Sequence, residues 1–226
     1  MIKLLDHGYI KLLDVMGDDL TPATAARISF DGDPRGWDNG DGKLTKFLLE
    51  NQHMSPFEMV EVMFEVQAPI FVAREWVRHR TANWNEFSMR YAPADRLGDG
   101  HVLVFEPAEF RIQDTTNKQS SMVPTDKDPA WHQDAKMIWH DAVVHTIKAY
   151  DKLIDMGVAR EMARGVLPVA TYTKWIWKSD LRNTMHFMEL RQADNAQAEI
   201  REYANAMETL LADKLPNLMA LWRESR

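Results

Sequence analysis

Residues 60–69, VEVMFEVQAP, decide how the first half of this chain folds. Apolar side chains occupy every second position from Val60 to Val66, and glutamate or methionine lies between them. A period of two is typical of a half-buried β-strand. Pro69 then predicts the start of a helix through PIFVAREWVRHR, residues 69–80, because proline is favoured at the first helical position.

Upstream of this strand the signals are shorter. Tyr9–Val15 predicts a first strand, and Thr21 followed by Pro22 predicts the N-cap and first residue of a short helix. The turn-forming stretch DGDPRGWDNGDG, residues 31–42, predicts an exposed loop. LTKFLLENQ, residues 44–52, predicts a helix after it.

Downstream the pattern changes in character. HVLVF, residues 101–105, predicts one more strand, and the polar stretch 111–129 predicts an irregular loop. From Trp131 onward we expect helical structure almost to the end of the chain. The strands are therefore expected early and the helices late.

Stop and start signals divide this helical half. Gly157 predicts a helix end, and further helices are expected from about Asp180 and about Ala196. Early strands and late helices predict an α+β fold, with a central antiparallel sheet, flanking helices and a helix-rich C-terminal half. We expect a single domain over residues 1–226 because no convincing linker divides them.

Composition excludes several classes of protein. The chain contains no cysteine, which excludes disulfides, thiolate metal sites and a cysteine nucleophile and fits a cytoplasmic location. The chain contains no run of 18 apolar residues, so no membrane span is predicted. The net charge of −7 argues against a nucleic-acid-binding surface. His140 and His145 are five residues apart and do not form a zinc pair on one helix face, so no metal site is predicted.

The arginines are clustered despite the acidic balance. One set falls within 17 residues and a second is looser: Arg74, Arg78, Arg80, Arg90 and then Arg160, Arg164, Arg182, Arg191. Arginine binds phosphate and carboxylate through two parallel hydrogen bonds, so the clusters suggest a small anionic ligand. The alternative is a set of solvated arginines on helix faces, paired with Glu75, Glu86 and Glu161.

The densest polar cluster is Arg78-His79-Arg80 followed, after seven residues, by Ser88. Arginine and hydroxyl groups there are suited to a phosphate, although cations at a helix C-terminus also complement the helix dipole. His53 lies in a helix-to-strand turn, where a lone histidine is more often structural than catalytic. The sequence contains no dinucleotide fingerprint, P-loop or nucleophile elbow.

RHRTANWNEFSMRY, residues 78–91, resembles the RHR-x7-S signature of the flavin-dependent thymidylate synthases. Four further blocks follow that family in the expected order: HMSPFE (53–58), AREMARGVLP (159–168), YTKWIWKSDLRNTMHFMELR (172–191) and AQAEIREYA (196–204). The resemblance covers about residues 25–204 and is weakest over 107–134.

This resemblance implies a homotetramer whose active sites are shared between subunits and hold FAD. It implies that NADPH reduces the flavin, that 5,10-methylenetetrahydrofolate supplies a carbon, and that dUMP becomes dTMP. The absence of cysteine agrees with it, since the unrelated class of thymidylate synthase needs a cysteine thiolate and the flavin route does not.

The resemblance also assigns site residues. Those matched to dUMP binding are Glu75, Glu86, Ser88, Met89, Arg90, Arg164 and Arg191. Ser88 and Arg90 would bind the phosphate, and Arg191 would polarise the uracil. Those matched to FAD binding are Ser29, Ser55, Glu58, Arg78, His79, Arg80, Asp180, Arg182, His186 and Asn195. Arg191, His53 and Ser88 are the expected catalytic residues, with His53 and Tyr91 near the flavin and the folate path.

Five positions depart from the family's usual pattern. Asn83 replaces a serine, Met59 a histidine, Glu75 a glutamine, Asp180 an asparagine and Asn195 a histidine. The last two predict weaker FAD binding, since a carboxylate is placed near an anionic ligand and an aromatic ring is lost. The alternative function is therefore a catalytically impaired nucleotide-binding relative with the same fold.

Overall fold

The computed structural model describes residues 1–126 and 128–226, and a five-stranded antiparallel sheet lies at its centre. Its strands are β1 (Ile2–Leu4), β2 (Gly8–Met16), β3 (Glu61–Pro69), β4 (Asn83–Glu86) and β7 (Tyr172–Asp180). Strands β5 (Ile112–Gln113) and β6 (Ser121–Met122) form a separate hairpin. The order across the sheet is β1-β2-β3-β7-β4, so β1 and β4 form the edges. The predicted central antiparallel sheet is confirmed.

Helices flank the sheet and dominate the second half of the described chain. They are α1 (Thr21–Arg27), α2 (Asp41–Glu50), α3 (Ile70–Trp76), α4 (Pro129–Asp155), α5 (Arg160–Ala163), α6 (Leu181–Gln192), α7 (Ala198–Ala212) and α8 (Pro216–Glu224). The α+β class is confirmed. Across the described ranges, no helix combines the length and apolar character needed to cross a bilayer.

The core lies on one face of the sheet. Phe64 of β3 pairs with Trp177 of β7, and Val66 pairs with Trp175, which places all four side chains on that face. Trp76 of α3 covers them and lies 4.4 Å, between ring centroids, from Phe187 of α6. Burying each such side chain contributes about 1.5–3 kcal/mol. The period-two pattern of β3 therefore places its apolar side chains in this aromatic layer.

Strand β7 is the largest correction to the sequence prediction. Helical structure was expected throughout the region after Trp131, but Tyr172–Asp180 is extended and pairs with both β3 and β4. The segment has its own alternation, since Trp175 and Trp177 are buried while Lys174 and Lys178 face the open side. That alternation was the signal for a strand.

Other boundaries differ for local reasons. Thr21 is not an N-cap: it lies inside α1, and the Asp18 carboxylate accepts the backbone N–H groups of Leu20 and Thr21 at 3.0 and 3.1 Å. Residues 101–105 form no strand beyond a single bridge from Val104 to Thr171. The stretch 111–129 contains the β5–β6 hairpin rather than a purely irregular loop.

Several element predictions are confirmed. Strand β2 includes residues 9–15, and α2 includes most of residues 44–52. Gly157, with φ of 78°, ends α4, and its N–H donates to the carbonyl of Ile154 at 2.9 Å. Helices α6 and α7 begin within two residues of Asp180 and Ala196. The helix expected over 69–80 ends at Trp76, which leaves the RHR segment, residues 78–80, outside it.

The exposed loop predicted over residues 31–42 is shorter than expected, because Asp41 and Gly42 already belong to α2, and a buried ionic clasp closes it there. Asp41, which is 0% exposed, accepts Arg27 Nε at 2.7 Å and the N–H groups of Arg35 and Gly36, each at 2.8 Å. Burial alone would raise the pKa of Asp41, but these hydrogen bonds outweigh it and hold that pKa below its ordinary value. The clasp ties the loop to α1 and α2.

Candidate functional site

A cleft of about 460 Å³ opens beside the end of β4, and we call it the strand cleft. It is lined among others by Glu86, Ser88, Met89, Glu161, Arg164 and Thr173. Strand β4 and the turn after it supply the first three, and the segment after α5 supplies Arg164. The structure therefore brings together four residues that the sequence assigned to one ligand.

Two donors fix the Glu86 carboxylate in the strand cleft. The Thr173 hydroxyl donates to its Oε1 at 2.7 Å, and Trp84 Nε1 donates to its Oε2 at 3.2 Å. Trp84 is itself held by stacking on the buried Trp175 ring, with centroids 4.5 Å apart. Neither Thr173 nor Trp84 was singled out from sequence, although Trp84 and Glu86 are two apart on one strand and share a face.

The loop after Ser88 carries a cation at the cleft margin. Arg90 forms an ion pair with Glu161 at 3.5 Å, and both side chains are more than half exposed. Such pairs contribute about 0–1 kcal/mol, so Arg90 can exchange this partner for a ligand at little cost. Together Ser88, Arg90 and Arg164 provide the hydroxyl and guanidinium donors that suit a phosphate.

A second cleft of about 440 Å³, the arginine cleft, lies along α6 and the RHR segment. Its lining includes Arg78, His79, Arg80, Asn183, His186 and Arg191, and none of its lining residues is acidic. Arg78 and Arg80 form no ion pair with any residue that the structure describes. This donor set fits an anionic group such as the pyrophosphate of a dinucleotide.

Arg191 is held by three hydrogen bonds. Its Nε donates to His79 Nε2 at 3.0 Å, its Nη1 to Glu75 Oε2 at 3.3 Å, and its Nη2 to the Glu75 carbonyl at 3.1 Å. Burial, the Arg191 charge and His186 lower the pKa of His79 to about 4. His79 is therefore neutral at pH 7, and its Nε2 can accept a hydrogen bond from Arg191 Nε.

Glu75 lies in an unusual electrostatic setting. Burial raises the pKa of Glu75, the Arg191 charge opposes that rise, and the Glu199 carboxylate adds to it. Glu199 is buried and bound by Arg111 Nη2 at 2.5 Å. Arg111 belongs to the segment that leads into β5, so the hairpin is tied to the surroundings of Arg191.

A third cleft of about 730 Å³, the hairpin cleft, lies next to Arg191. It is lined by Glu75, Arg191 and Asn195 and by hairpin residues such as Gln113, Gln119 and Ser120. The hairpin residues were missed from sequence because the family resemblance is weakest there. The strand cleft and the hairpin cleft share no lining residue, so Arg191 and Glu75 line a different cleft from the Ser88 group, which is Glu86, Ser88, Met89 and Arg164.

Several of the predicted residues line none of these three clefts. Ser29 and Ser55 are exposed, in single turns at residues 28–30 and 55–59. His53 is exposed and packs edge-on against Phe47, with ring centroids 5.8 Å apart. Glu58 forms an ion pair with Arg182, and Arg182 lines a smaller cleft together with His186.

Asp180 has a structural role in this chain. It is the N-cap of α6, where Oδ1 accepts the Asn183 N–H at 2.8 Å and Oδ2 accepts Asn183 Nδ2 at 2.7 Å. Both carboxylate oxygens are therefore already satisfied by the first turn of the helix. In the part of the chain that the structure describes, no group of three or more His, Asp or Glu side chains is arranged to hold a metal ion.

The antiparallel sheet with arginine-lined clefts along one edge defines a protein built to bind small anionic, nucleotide-like ligands. The family model described as thymidylate synthase complementing protein matches residues 11–217. A flavin-dependent thymidylate synthase of Thermus thermophilus is 41% identical over 223 residues, which cover 99% of this chain and 78% of that protein. A second, from Wolbachia pipientis, is 40% identical over 95% of this chain and 73% of its own length.

A solved structure agrees with these sequence matches. The UMP/dUMP methylase PolB from Streptomyces cacaoi, bound with 5-Br dUMP, superposes with a TM-score of 0.83 at 30% identity and covers 99% of this chain and 97% of its own. The chain belongs to the family of the thymidylate synthase complementing proteins, the flavin-dependent thymidylate synthases.

Proposed function

We propose that this protein methylates dUMP to dTMP as a flavin-dependent thymidylate synthase, with FAD as its flavin. Family membership supports the reaction, and the observation that carries it in this chain is the strand cleft. A hydroxyl, a guanidinium group and a fixed carboxylate line it, and a second guanidinium lies at its margin; they come from two separate parts of the sequence, residues 86–90 and Arg164. We further propose 5,10-methylenetetrahydrofolate as the carbon donor and NADPH as the reductant.

In the strand cleft, Ser88, Arg90 and Arg164 would bind the dUMP phosphate. Contacts to a phosphate remote from the reacting carbon bind substrate and transition state alike, so they govern KM more than kcat. Glu86, held by Thr173 and Trp84, is placed to accept a hydrogen bond from a sugar hydroxyl. Met89 would supply apolar contact from its buried position in the same cleft.

Arg191 would contact the uracil. A guanidinium next to a carbonyl stabilises negative charge that develops on the ring during hydride transfer to it, as oxyanion donors do. The chemistry that FAD supplies when bound is hydride transfer, which no side chain of this protein can perform. Arg78 and Arg80 would hold the FAD pyrophosphate, because the arginine cleft contains no lining acid to compete with it.

The two parts of the predicted dUMP site line clefts with no residue in common. This difference supports sites that the Ser88 group of one subunit and Arg191 of another complete, in the homotetramer that the family resemblance implies. It also gives a reason for the exposed apolar side chains near the strand cleft, Met162 and Val169, which are 70% and 65% exposed. A cytoplasmic location remains a prediction.

The test is dTMP formation from dUMP with methylenetetrahydrofolate, NADPH and FAD, and with each component omitted in turn. We expect product only in the complete mixture, and a yellow protein with a flavin spectrum after incubation with FAD. Size-exclusion chromatography with light scattering measures the oligomer. A folded protein that binds dUMP but forms no dTMP would refute the proposal and support a catalytically impaired relative.

A further inference from the structure

The contacts of Arg191 leave a defined part of its guanidinium available. An arginine side chain carries five N–H groups, one on Nε and two on each Nη. Three of them are committed, one to His79 Nε2 and two to the Glu75 side chain and carbonyl. One N–H on each Nη therefore remains, and the side chain, 21% exposed, lines both the arginine cleft and the hairpin cleft.

His79 is the contact that sets the plane of this guanidinium. Its ring packs edge-on against the fully buried Phe187, with centroids 4.8 Å apart and an interplanar angle of 71°. Because Nε2 accepts from Arg191, the ring proton belongs on Nδ1. Protonated Nε2 would instead direct a donor at a donor, with two positive charges about 3 Å apart, and the bond would be lost.

We propose that His79 is a positioning residue, whose neutral Nε2 holds the Nε–H of Arg191 so that the guanidinium presents its two free N–H groups to the planar, acceptor-bearing edge of a pyrimidine. The proposal rests on the proposed function, in which Arg191 contacts the uracil. It assigns His79 an action through Arg191, separate from any contact with the flavin. Glu75, in α3, holds the Nη groups of the same guanidinium through its carboxylate and its carbonyl.

A double-mutant cycle tests whether His79 acts through Arg191. His79→Phe keeps an aromatic ring against Phe187 but removes the acceptor, and His79→Gln keeps an acceptor of similar reach. Arg191→Lys removes the Nε–H that His79 binds. We would measure kcat/KM for dTMP formation, the dUMP dissociation constant of the flavin-loaded protein, and the FAD dissociation constant of each variant.

We expect His79→Phe to lower kcat/KM by about 10- to 150-fold, the range for a lost hydrogen bond to a charged group. His79→Gln should recover most of that loss. In the Arg191→Lys background, His79→Phe should change kcat/KM and the dUMP dissociation constant by less than about 2-fold, because coupled residues are non-additive. Losses that multiply in the double variant, or a loss confined to FAD affinity, would overturn the proposal.

A second measurement is made on the wild-type protein and does not depend on turnover. Long-range ¹H–¹⁵N correlation spectra of the wild-type protein report the tautomer of His79 and its titration, with His79→Gln used for assignment. The charged and titratable groups that face this ring are Arg191 and His186 from α6, and the Glu75 carboxylate accepts from Nη1 of the same Arg191. We expect an Nδ1–H tautomer that stays neutral down to pH 5.

The two proposals fail differently. Absence of dTMP in the complete mixture would refute the proposed function and leave the spectrum to decide the His79–Arg191 bond. An Nε2–H tautomer, or protonation of His79 near its ordinary pKa, would overturn the positioning role even in an active enzyme.

Discussion

Replacing Thr173 with valine tests how the strand cleft works. Thr173 is 1% exposed and its hydroxyl donates to Glu86 Oε1 at 2.7 Å. Valine has nearly the same shape and suits a strand, so the change removes one hydrogen bond and little else. Glu86 keeps the Trp84 donor and is itself exposed, so water can replace the hydroxyl in part. The loss should then lie within the net value of a typical hydrogen bond, about 0.5–1.5 kcal/mol.

That free energy corresponds to a rise of about 2- to 13-fold in KM for dUMP, since about 1.36 kcal/mol is a factor of ten. On the proposed binding mode Glu86 would contact the substrate's sugar in both the ground state and the transition state, so kcat should be unchanged. The assay is steady-state dTMP formation at saturating folate, NADPH and FAD. Thr173→Ser is the matched control, because it keeps the hydroxyl and loses only a methyl group. Equal KM values for the valine and serine variants would refute the reasoning.

Three further predictions concern binding and stability. Arg90→Ala should raise KM for dUMP with kcat largely retained; an unchanged KM in steady-state assays would exclude Arg90 from the phosphate. Asp41→Asn should lower the thermal midpoint of unfolding by about 6–20 °C. Breaking a buried ion pair costs about 3–5 kcal/mol, and each kcal/mol lowers the midpoint by about 2–4 °C. Asp33→Asn, at an exposed position, should have no such effect in the same melting scans. Because the pKa of Asp41 is lowered on folding, its contribution to the free energy of unfolding is present above the unfolded pKa and lost as the pH falls through the folded pKa. The thermal midpoints of the wild type and Asp41→Asn should therefore converge in acid. A difference in midpoint that stays constant with pH would contradict this. Asp180→Asn combined with Asn195→His should tighten FAD in a fluorescence titration, and equal affinities would show that the helix-cap contacts already neutralise the Asp180 charge.

The sheet and the site were predictable to different extents. Strand β3 follows from its own alternation, because a half-buried strand must place every second side chain in the core. Strand β7 carries the same signal in Trp175 and Trp177, but its aromatic residues also suit a buried helix, and helical patterns on both sides hid it. The two-residue strands β5 and β6 are too short for any periodicity to show.

Residue types alone suggested an anionic ligand and left solvated, paired arginines as the alternative; the family motifs then selected the arginines of the site. The residues that hydrogen-bond to the site residues could not be predicted from local sequence patterns. Thr173 reaches Glu86 across 87 positions of sequence, and His79 reaches Arg191 across 112. Such pairs exist only once β4 lies against β7 and α6 lies against the RHR segment, so local patterns do not contain them.

The position of β4 at the sheet edge sets the local stability of the site. Its four residues hydrogen-bond to β7 alone, whereas β3 and β7 each have neighbours on both sides. Opening β4 therefore breaks one short ladder and leaves the aromatic layer closed, which places it among the segments of lowest opening free energy. Amide hydrogens of residues 83–86 should then exchange with solvent sooner than those of the central strands. A nucleotide bound between Glu86 and Arg164 would slow that exchange, because the ligand binds only the closed form of this edge.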